Sequence, residues 1–332
     1  MFSGSNARST PRVGLVLGGG GTVGAAYHSG ALAALEHDLG WDARDADVIV
    51  GTSAGSLVGG LLRIGVPPAD LAAISVGASA LEAHPSVVEA MLSRPAFPPF
   101  TLRHLLRPPK VLGPSAILGL GAHALRRGPS GLASLAMLLP DGNEALAPHV
   151  AFFDEILGTE WPEDPLLVCA TRRKDCRRTV FCTGGRSASL SEAVAASCAV
   201  PGYFSGVRIG GHTYVDGGVI SATNADVLRH EDLDLVIAVS PMTGNPGGRS
   251  LGGAIRSFCR TTLDRELKVL ERKGVATVVV EPGAEVLEHM TTDFMSEEAL
   301  ADIVRCAFLE TGDQIRREDF FEQLRRPRAA AA

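Results

Sequence analysis

Two short apolar runs, each followed by a glycine-rich turn, constrain the fold of this chain more than any other feature. The runs occupy residues 13–17 (Val-Gly-Leu-Val-Leu) and 47–50 (Asp-Val-Ile-Val). Apolar runs that end at glycines are typical of buried parallel strands. Helical sequence follows each turn, at 25–37 and at 56–64. Because strand, turn and helix repeat in this order, we predict an α/β fold with a parallel sheet.

Further elements extend the pattern along the chain. A basic link at 172–178 is interpreted as a solvated turn between two strands, and the charged C-terminal stretch 296–324 is predicted to be helical. The other predicted strands lie at 166–170, 179–182, 235–240 and 276–281.

We predict one domain over residues 12–325, between loose tails at 1–11 and 326–332. Within it, residues 83–165 are rich in proline and hold long apolar pieces, which favours helices interrupted by proline. An insertion of this length between strands is often a lid or a substrate-binding cap. Additional structural helices packed on the sheet are the alternative.

Composition excludes several classes of protein. Hydrophobic residues make up 45% of the chain and charged residues 20%, which indicates a buried core and not a disordered chain. With a formal charge of −6, the chain lacks the excess of basic residues that is typical of nucleic-acid-binding proteins. We therefore expect no nucleic-acid partner. The six cysteines contain no Cys-x-x-Cys pair. We therefore expect no zinc site, no disulfide framework and a reducing, cytoplasmic location.

One segment raises the question of a membrane. Residues 13–35 carry no formal charge, and by length alone they could span a bilayer or form a signal sequence. Seven glycines and His28 within the segment favour a strand, a loop and a helix instead. We therefore expect any membrane contact to be peripheral, with a spanning or signal segment as the alternative.

The second glycine turn has the form Gly-x-Ser-x-Gly, with Ser53 at its centre. At a strand-to-helix elbow, small flanking residues permit a cramped backbone that lifts the serine hydroxyl clear of the sheet. The helix that follows points its N-terminus at that oxygen and favours negative charge there. In a glycine-rich chain the pattern alone is weak, and its place between a strand and a helix is what supports a nucleophile. A packing turn is the alternative.

The first glycine turn, residues 19–24, also satisfies Gly-x-Gly-x-x-Gly, the dinucleotide-binding form. A dinucleotide site expects an acidic residue at the end of the second strand, but that strand runs into Gly51, Thr52 and Ser53. Backbone amides that converge at the start of a helix serve equally well as an oxyanion hole. The missing acid favours the oxyanion hole, and a dinucleotide-binding oxidoreductase is the alternative.

A nucleophilic serine needs a base, and Asp216 is the candidate. It ends a strand-like run at 213–216 and precedes two glycines, although Asp-Gly-Gly is also a common turn. Desolvation raises the pKa of a carboxylate held against a serine and lets it act as the base. A Ser-Asp-His triad would use His230 or His289, and neither has a glycine-rich strand-end context.

Four of these segments, in this order, resemble the signatures of the patatin-like phospholipase family, and the resemblance covers roughly residues 13–240. Residues 196–204 resemble the family's Ala-Ser-x-x-x-Pro-x-x-Phe pattern. The four segments are the glycine loop at 17–24, the elbow at 51–55, residues 196–204 and residues 214–218.

The resemblance implies a three-layer α/β/α fold with a mostly parallel central sheet, and hydrolysis of acyl esters in lipids. It implies a Ser–Asp dyad with no histidine, no metal and no cofactor. By position, Ser53 is the nucleophile and Asp216 the base, with the Ala54 amide as a weaker oxyanion donor. The expected oxyanion loop is Gly19, Gly20 and Gly21, and the motif-supporting glycines are Gly24, Gly51, Gly55, Gly217 and Gly218.

Two positions depart from the family pattern. Val23 stands where the family often has a basic residue, which removes a positive charge near the oxyanion loop. In Asn224-Ala225-Asp226, Asp226 stands where many members have proline. Neither departure touches the dyad.

The sequence thus predicts a serine hydrolase of the phospholipase A, lysophospholipase or esterase type, with a lipid ester as its partner. The segment 83–165 would form part of the acyl-chain cavity or an interfacial surface. A transacylase, or a lipid-binding protein that kept the fold without catalysis, is the alternative.

Overall fold

A computed structural model of the chain describes residues 11–78, 85–93, 142, 147–185, 188–244, 251–290 and 293–317. The predicted tails lie outside the described residues, apart from Pro11. So does most of the predicted insertion at 83–165, of which 85–93, 142 and 147–165 are described.

The strands of the described residues form one sheet in the order β5-β6-β3-β2-β1-β7-β8, with β4 also paired to β3. The strands β1, β2, β3, β7 and β8 are joined in parallel, whereas β4, β5 and β6 pair antiparallel. Their bounds are β1 (Val13–Leu17), β2 (Val48–Thr52), β3 (Leu166–Arg172), β4 (Arg177–Phe181), β5 (Val207–Ile209), β6 (His212–Asp216), β7 (Leu235–Val239) and β8 (Ala276–Val280).

Helices cover both faces of this sheet. Within the part of the chain that the structure describes, short 3-10 turns at Ala43–Asp45, Gly217–Val219 and Ala225–His230 connect the elements. Over the described ranges the helices are α1 (Gly21–Leu39), α2 (Ala54–Arg63), α3 (Pro68–Ser75), α4 (Pro85–Ser93), α5 (Ala147–Leu157), α6 (Leu190–Ser197), α7 (Leu251–Glu271), α8 (Ala284–His289) and α9 (Leu300–Arg317).

The central strands are buried on both faces, and their side chains alternate between two cores. In β1, Leu15 and Leu17 join a core with α1, α2 and α6, whereas Val16 joins a second core with α7. Burial on both faces explains why β1 reads as a continuous apolar run. The predicted three-layer fold with a mostly parallel central sheet is confirmed.

The boundaries of several elements differ from the sequence pattern. Helix α1 begins at Gly21, four residues before the predicted start, because the glycine turn itself forms the first helical turn. Helices α6 and α7 were not predicted, although a capping box of Ser189 and Glu192 marks the start of α6 in the sequence. The basic link at 172–178 connects β3 to β4 as a hairpin turn, as predicted.

The contact between α2 and β1 generates a stability prediction. A Cβ on Gly55 would lie 2.0 Å from the Leu17 carbonyl oxygen, whereas a Cβ on Gly59 would meet only side-chain carbons, at 3.0 Å or more. Alanine at either position improves helix propensity equally. We expect Gly55→Ala to lower the free energy of unfolding by about 1–3 kcal/mol, because the β1 backbone has no room to move, and Gly59→Ala to cost less.

Urea denaturation of both variants measures the difference. Equal stability of Gly55→Ala and Gly59→Ala would contradict the close packing of α2 on β1.

Candidate active site

Ser53 lies at a sharp turn between β2 and α2 and has an unusual backbone conformation. Its φ of 53° and ψ of −126° are rare for a residue that carries a Cβ, and such a conformation typically costs about 1–3 kcal/mol. The flanking glycines make the turn possible. A Cβ on Gly51 would lie 2.4 Å from Ser56 Cα, and Gly55 packs on the Leu17 carbonyl.

Hydrogen bonds hold this turn from both sides. The Ser53 amide donates to Ser197 Oγ (2.8 Å), and that hydroxyl donates to the Cys169 carbonyl in β3 (2.6 Å). Ser56 Oγ donates to the Ser53 carbonyl (2.7 Å). Ser197 therefore ties the serine turn to the sheet. The sequence placed Ser197 in a family-like segment without assigning it a role.

The sheet register brings Ser53 and Asp216 together. Residues 168–172 of β3 pair with β4, and residues 170–172 also pair with β6, so β4 and β6 occupy opposite edges of β3. Strand β2 pairs with residues 166–169 of β3 and therefore shares an edge with β6. Thr52 at the end of β2 faces Cys169, and Asp216 at the end of β6 faces Ala170. The carboxyl ends of β2 and β6 thus meet.

Asp216 and Ser53 interact in an environment that is almost dry, with exposed fractions of 5% and 7%. Burial raises the pKa of Asp216 to about 6, whereas hydrogen bonds from the Ser53 side chain and the Gly218 amide act in the opposite direction. The Gly218 amide lies 2.7 Å from Asp216 Oδ1. A Cβ on Gly217 would lie 2.3 Å from the Cys169 carbonyl oxygen, so this turn fits the sheet only as glycine. The arrangement holds a carboxylate with the pKa of a base near neutral pH.

The glycine loop passes directly over the serine. A Cβ on Gly19 would lie 3.2 Å from Ser53 Cβ. The Gly19 amide donates to the Ala222 carbonyl (2.8 Å), so its hydrogen is already engaged. Over the described ranges, the amides of Gly20 and Gly21 donate to no acceptor. The expected oxyanion loop therefore has Gly20 and Gly21 as its available donors, and Gly19 as a fixed support.

His28 also supports the glycine loop, through the carbonyl of Gly18. Its Nε2 lies 2.7 Å from the Gly18 carbonyl, and burial lowers the pKa of the ring to about 4. The ring is therefore neutral at pH 7, and Nε2 carries the proton that is donated to Gly18. The sequence used His28 only as an argument against a membrane span. In the part of the chain that is described, no hydrogen bond joins Ser53 or Asp216 to His230 or His289.

A cavity of about 270 Å³ opens beside Ser53. Among its described lining residues, the one with a formal charge is Glu297. Part of the lining comes from the range 83–165, in α4 and α5. The apolar side chains that line it include Leu57, Ile74, Met91, Phe152, Phe153 and Phe204.

The described residues contain no group of three or more His, Cys, Asp or Glu side chains arranged to hold a metal ion. Over the same residues, the helices are too short or too polar to cross a bilayer.

Comparisons with known protein families and solved structures bear on this chain. The family model described as Patatin-like phospholipase matches residues 15–229, which is more than half of the chain. No curated protein matches the sequence. The crystal structure of VipD from Legionella pneumophila aligns with a TM-score of 0.44 and 13% sequence identity, covering 94% of this chain and 67% of that chain.

The buried carboxylate predicts a pH-dependent effect on stability. The pKa of Asp216 in the folded state, near 6, exceeds the ordinary value of 3.8. The free energy of unfolding therefore falls as the pH rises from 3.8 through about 6, because the folded state disfavours the ionised carboxylate. We expect Asp216→Asn to be more stable than the wild type by roughly 3 kcal/mol above pH 7, with the difference vanishing toward pH 4.

Denaturant unfolding between pH 4 and pH 8 measures this effect, with Asp264→Asn on α7 as a matched surface control. A constant difference between wild type and Asp216→Asn across this range would show that the carboxylate is not desolvated.

Proposed function

Because the chain belongs to the patatin-like phospholipase family, we propose that it is a serine hydrolase that cleaves acyl esters of lipids. The observation that carries the proposal is the meeting of Ser53 and Asp216 beside an apolar cavity. A buried carboxylate against a serine hydroxyl supplies both the nucleophile and the base that acyl transfer requires.

In the first step, Ser53 Oγ attacks the ester carbonyl carbon while Asp216 takes the hydroxyl proton. The positive φ of Ser53 directs the side chain out of the turn, and the N-terminus of α2 favours the negative charge that develops on the oxygen. Because both side chains are nearly buried, water does not screen the transfer of the proton.

The carbonyl oxygen becomes an oxyanion that needs hydrogen-bond donors. In our proposal the Gly20 and Gly21 amides supply them, with the Ala54 amide at the start of α2 as a further donor. Rigid donors of this kind stabilise the transition state more than the ground state, and each typically contributes about 10²–10³ in rate. The support that Gly19 receives from Ala222 fixes the loop before substrate arrives.

The tetrahedral intermediate then collapses. Asp216 returns the proton to the leaving alcohol, and the acyl group remains on Ser53 Oγ. Water attacks the acyl-enzyme, Asp216 takes a proton from that water, and the fatty acid leaves as Ser53 regains its hydrogen. One carboxylate thus serves as base and acid in both halves of the reaction.

The cavity beside Ser53 is the proposed site of the acyl chain. Its aromatic and aliphatic lining favours an apolar chain, and each buried methylene contributes about 0.8 kcal/mol. We further propose a cytoplasmic protein that contacts membranes peripherally. The six cysteines are thinly spread and contain no Cys-x-x-Cys pair, which fits a reducing compartment.

A fluorophosphonate tests the nucleophile, because it is attacked by an activated serine and leaves a stable adduct. We expect mass spectrometry to find one adduct on Ser53 in the wild type and none in Ser53→Ala, whose circular dichroism and melting temperature confirm the fold. Labelling of both proteins at another residue would contradict the assignment of Ser53. Absence of labelling with and without lipid vesicles would favour a lipid-binding protein without catalysis.

The pKa of Asp216 predicts the acid limb of the pH profile. The base must be ionised to act, so kcat/KM should rise with pH, reach half its maximum near pH 6 and level off above about pH 7. Hydrolysis of p-nitrophenyl butyrate between pH 4.5 and pH 8 measures this limb. A rise centred near pH 4, or turnover by Asp216→Asn at the wild-type rate, would remove Asp216 from the mechanism.

A further inference from the structure

The loop of residues 221–225, which leads from the 3-10 turn Gly217–Val219 into the 3-10 turn Ala225–His230, touches both halves of the candidate active site. The Ala222 carbonyl accepts a hydrogen bond from the Gly19 amide (2.8 Å). Gly19 immediately precedes Gly20 and Gly21, whose amides are the available donors of the glycine loop. Asn224 Nδ2 donates to Thr52 Oγ1 at 3.0 Å, one residue before Ser53. The position of this loop therefore sets the position of the proposed oxyanion donors relative to the serine.

A carboxylate on the opposite side of the sheet holds this loop. Glu266 lies in α7 and is only 7% exposed. Its Oε2 accepts the Thr223 hydroxyl (2.7 Å) and the Ala225 amide (2.9 Å), two donors on either side of Asn224. None of the residues 221–225 is among the described residues that line the cavity.

The second oxygen of Glu266 faces a cation. Arg178 Nη2 lies 3.7 Å from Glu266 Oε1, and Arg178 Nη1 lies 2.5 Å from Asp226 Oδ1. Asp226 directly follows Ala225, at the end of this loop. In this chain an ion pair from β4 occupies the same end of the loop.

Stability alone does not account for a charge in this place. A buried ion pair commonly contributes little, and apolar residues of the same volume are often as stable or more so. What the carboxylate provides is geometry, because two short hydrogen bonds fix the backbone on both sides of Asn224. Asn224 itself has a φ of 54°, a conformation uncommon for residues other than glycine, so the loop needs such restraint.

We propose that the buried Glu266, together with the half-buried Arg178 and Asp226, forms an ionic clamp that positions the 221–225 loop and, through Ala222, the oxyanion loop. Glu266 is a positioning residue for the hydrolysis proposed above, and this role rests on that function. Helix α7 lies beyond the residues 15–229 that match the family, so the clamp joins a separate part of the chain to the site.

Loss of the clamp displaces donors that act in the transition state and leaves the cavity lining intact. The effect therefore falls on kcat and not on KM. A displacement of about 1 Å at such donors costs up to about 10²-fold in rate.

The variant Glu266→Gln tests the clamp, because glutamine keeps the size and an acceptor oxygen but lacks the charge that Arg178 faces. The matched control is Glu271→Gln in the same helix, whose side chain accepts only the exposed Thr277 hydroxyl among the described residues. The concentration of reactive Ser53 sites is measured by fluorophosphonate titration of a separate sample, so that kcat is expressed per folded, reactive site. We expect kcat per titrated site with p-nitrophenyl butyrate to fall about 10-fold to 10²-fold in Glu266→Gln. KM should stay within about twofold, and Glu271→Gln should match the wild type.

A second pair of variants keeps the test decisive if Glu266→Gln does not fold. Thr223→Val removes one hydroxyl from the clamp without changing volume, and Thr223→Ser keeps it. We expect lower kcat in Thr223→Val and recovery in Thr223→Ser. Wild-type kcat per titrated site in both Glu266→Gln and Thr223→Val would overturn the proposal.

Hydrogen exchange separates failure of the clamp from failure of the proposed function. Amides in peptides covering 17–24 and 217–228 should exchange faster in Glu266→Gln and Thr223→Val than in Glu271→Gln, whether or not the enzyme turns over. Unchanged exchange in both peptides would reject the clamp. Absence of Ser53 labelling in the wild type, with faster exchange in the variants, would reject the hydrolase while leaving the clamp.

Discussion

The end-to-end meeting of β2 and β6 on one edge of β3 is the constraint from which the site follows. Parallel β2 and antiparallel β6 approach from opposite directions and stop at adjacent residues of β3. Backbone pairing along β3 therefore sets where Ser53 and Asp216 stand, and no flexible loop carries either residue. Sites built on sheet elements keep their geometry better than sites on loops, which suits a proton transfer that tolerates little displacement.

The burial that suits Asp216 to its proposed role as a base also makes its ionised form unfavourable in the folded state. Water is excluded, so the ionised carboxylate loses hydration and its pKa rises to about 6. Ser53 adds a strained backbone at the neighbouring position. A turn without a function would need neither a buried carboxylate nor a strained serine. The packing of the rest of the sheet offsets both of these costs. This concentration of unfavourable features is expected of a functional site and not of a packing turn.

Polar side chains of α1, α6 and α7 hold the turns and loops around Ser53 and Asp216. Ser197 ties the serine turn to β3, and His28 holds the Gly18 carbonyl. Glu266 reaches the 221–225 loop from α7 on the far side of the sheet. Ser197 lies in the third family-like segment, at 196–204, but the sequence assigned it no role. His28 and Glu266 had no distinctive spacing that pointed to the site. Only the partners to which each side chain bonds reveal its role.

Local patterns in the chain were sufficient to predict β1, β2, the two glycine turns and an α/β fold with a parallel sheet, since apolar runs and glycines act over a few neighbouring residues. The three-layer architecture was implied by the family resemblance. Local patterns also pointed to Ser53 and Asp216, through short glycine motifs placed at the ends of strands. Tertiary packing alone engages the Gly19 amide with Ala222, starts α1 at Gly21 and brings Glu266 to a loop some 40 residues earlier in the chain. These outcomes depend on strand register and on which hydrogen-bond acceptors come within reach, and neither is encoded in local spacing.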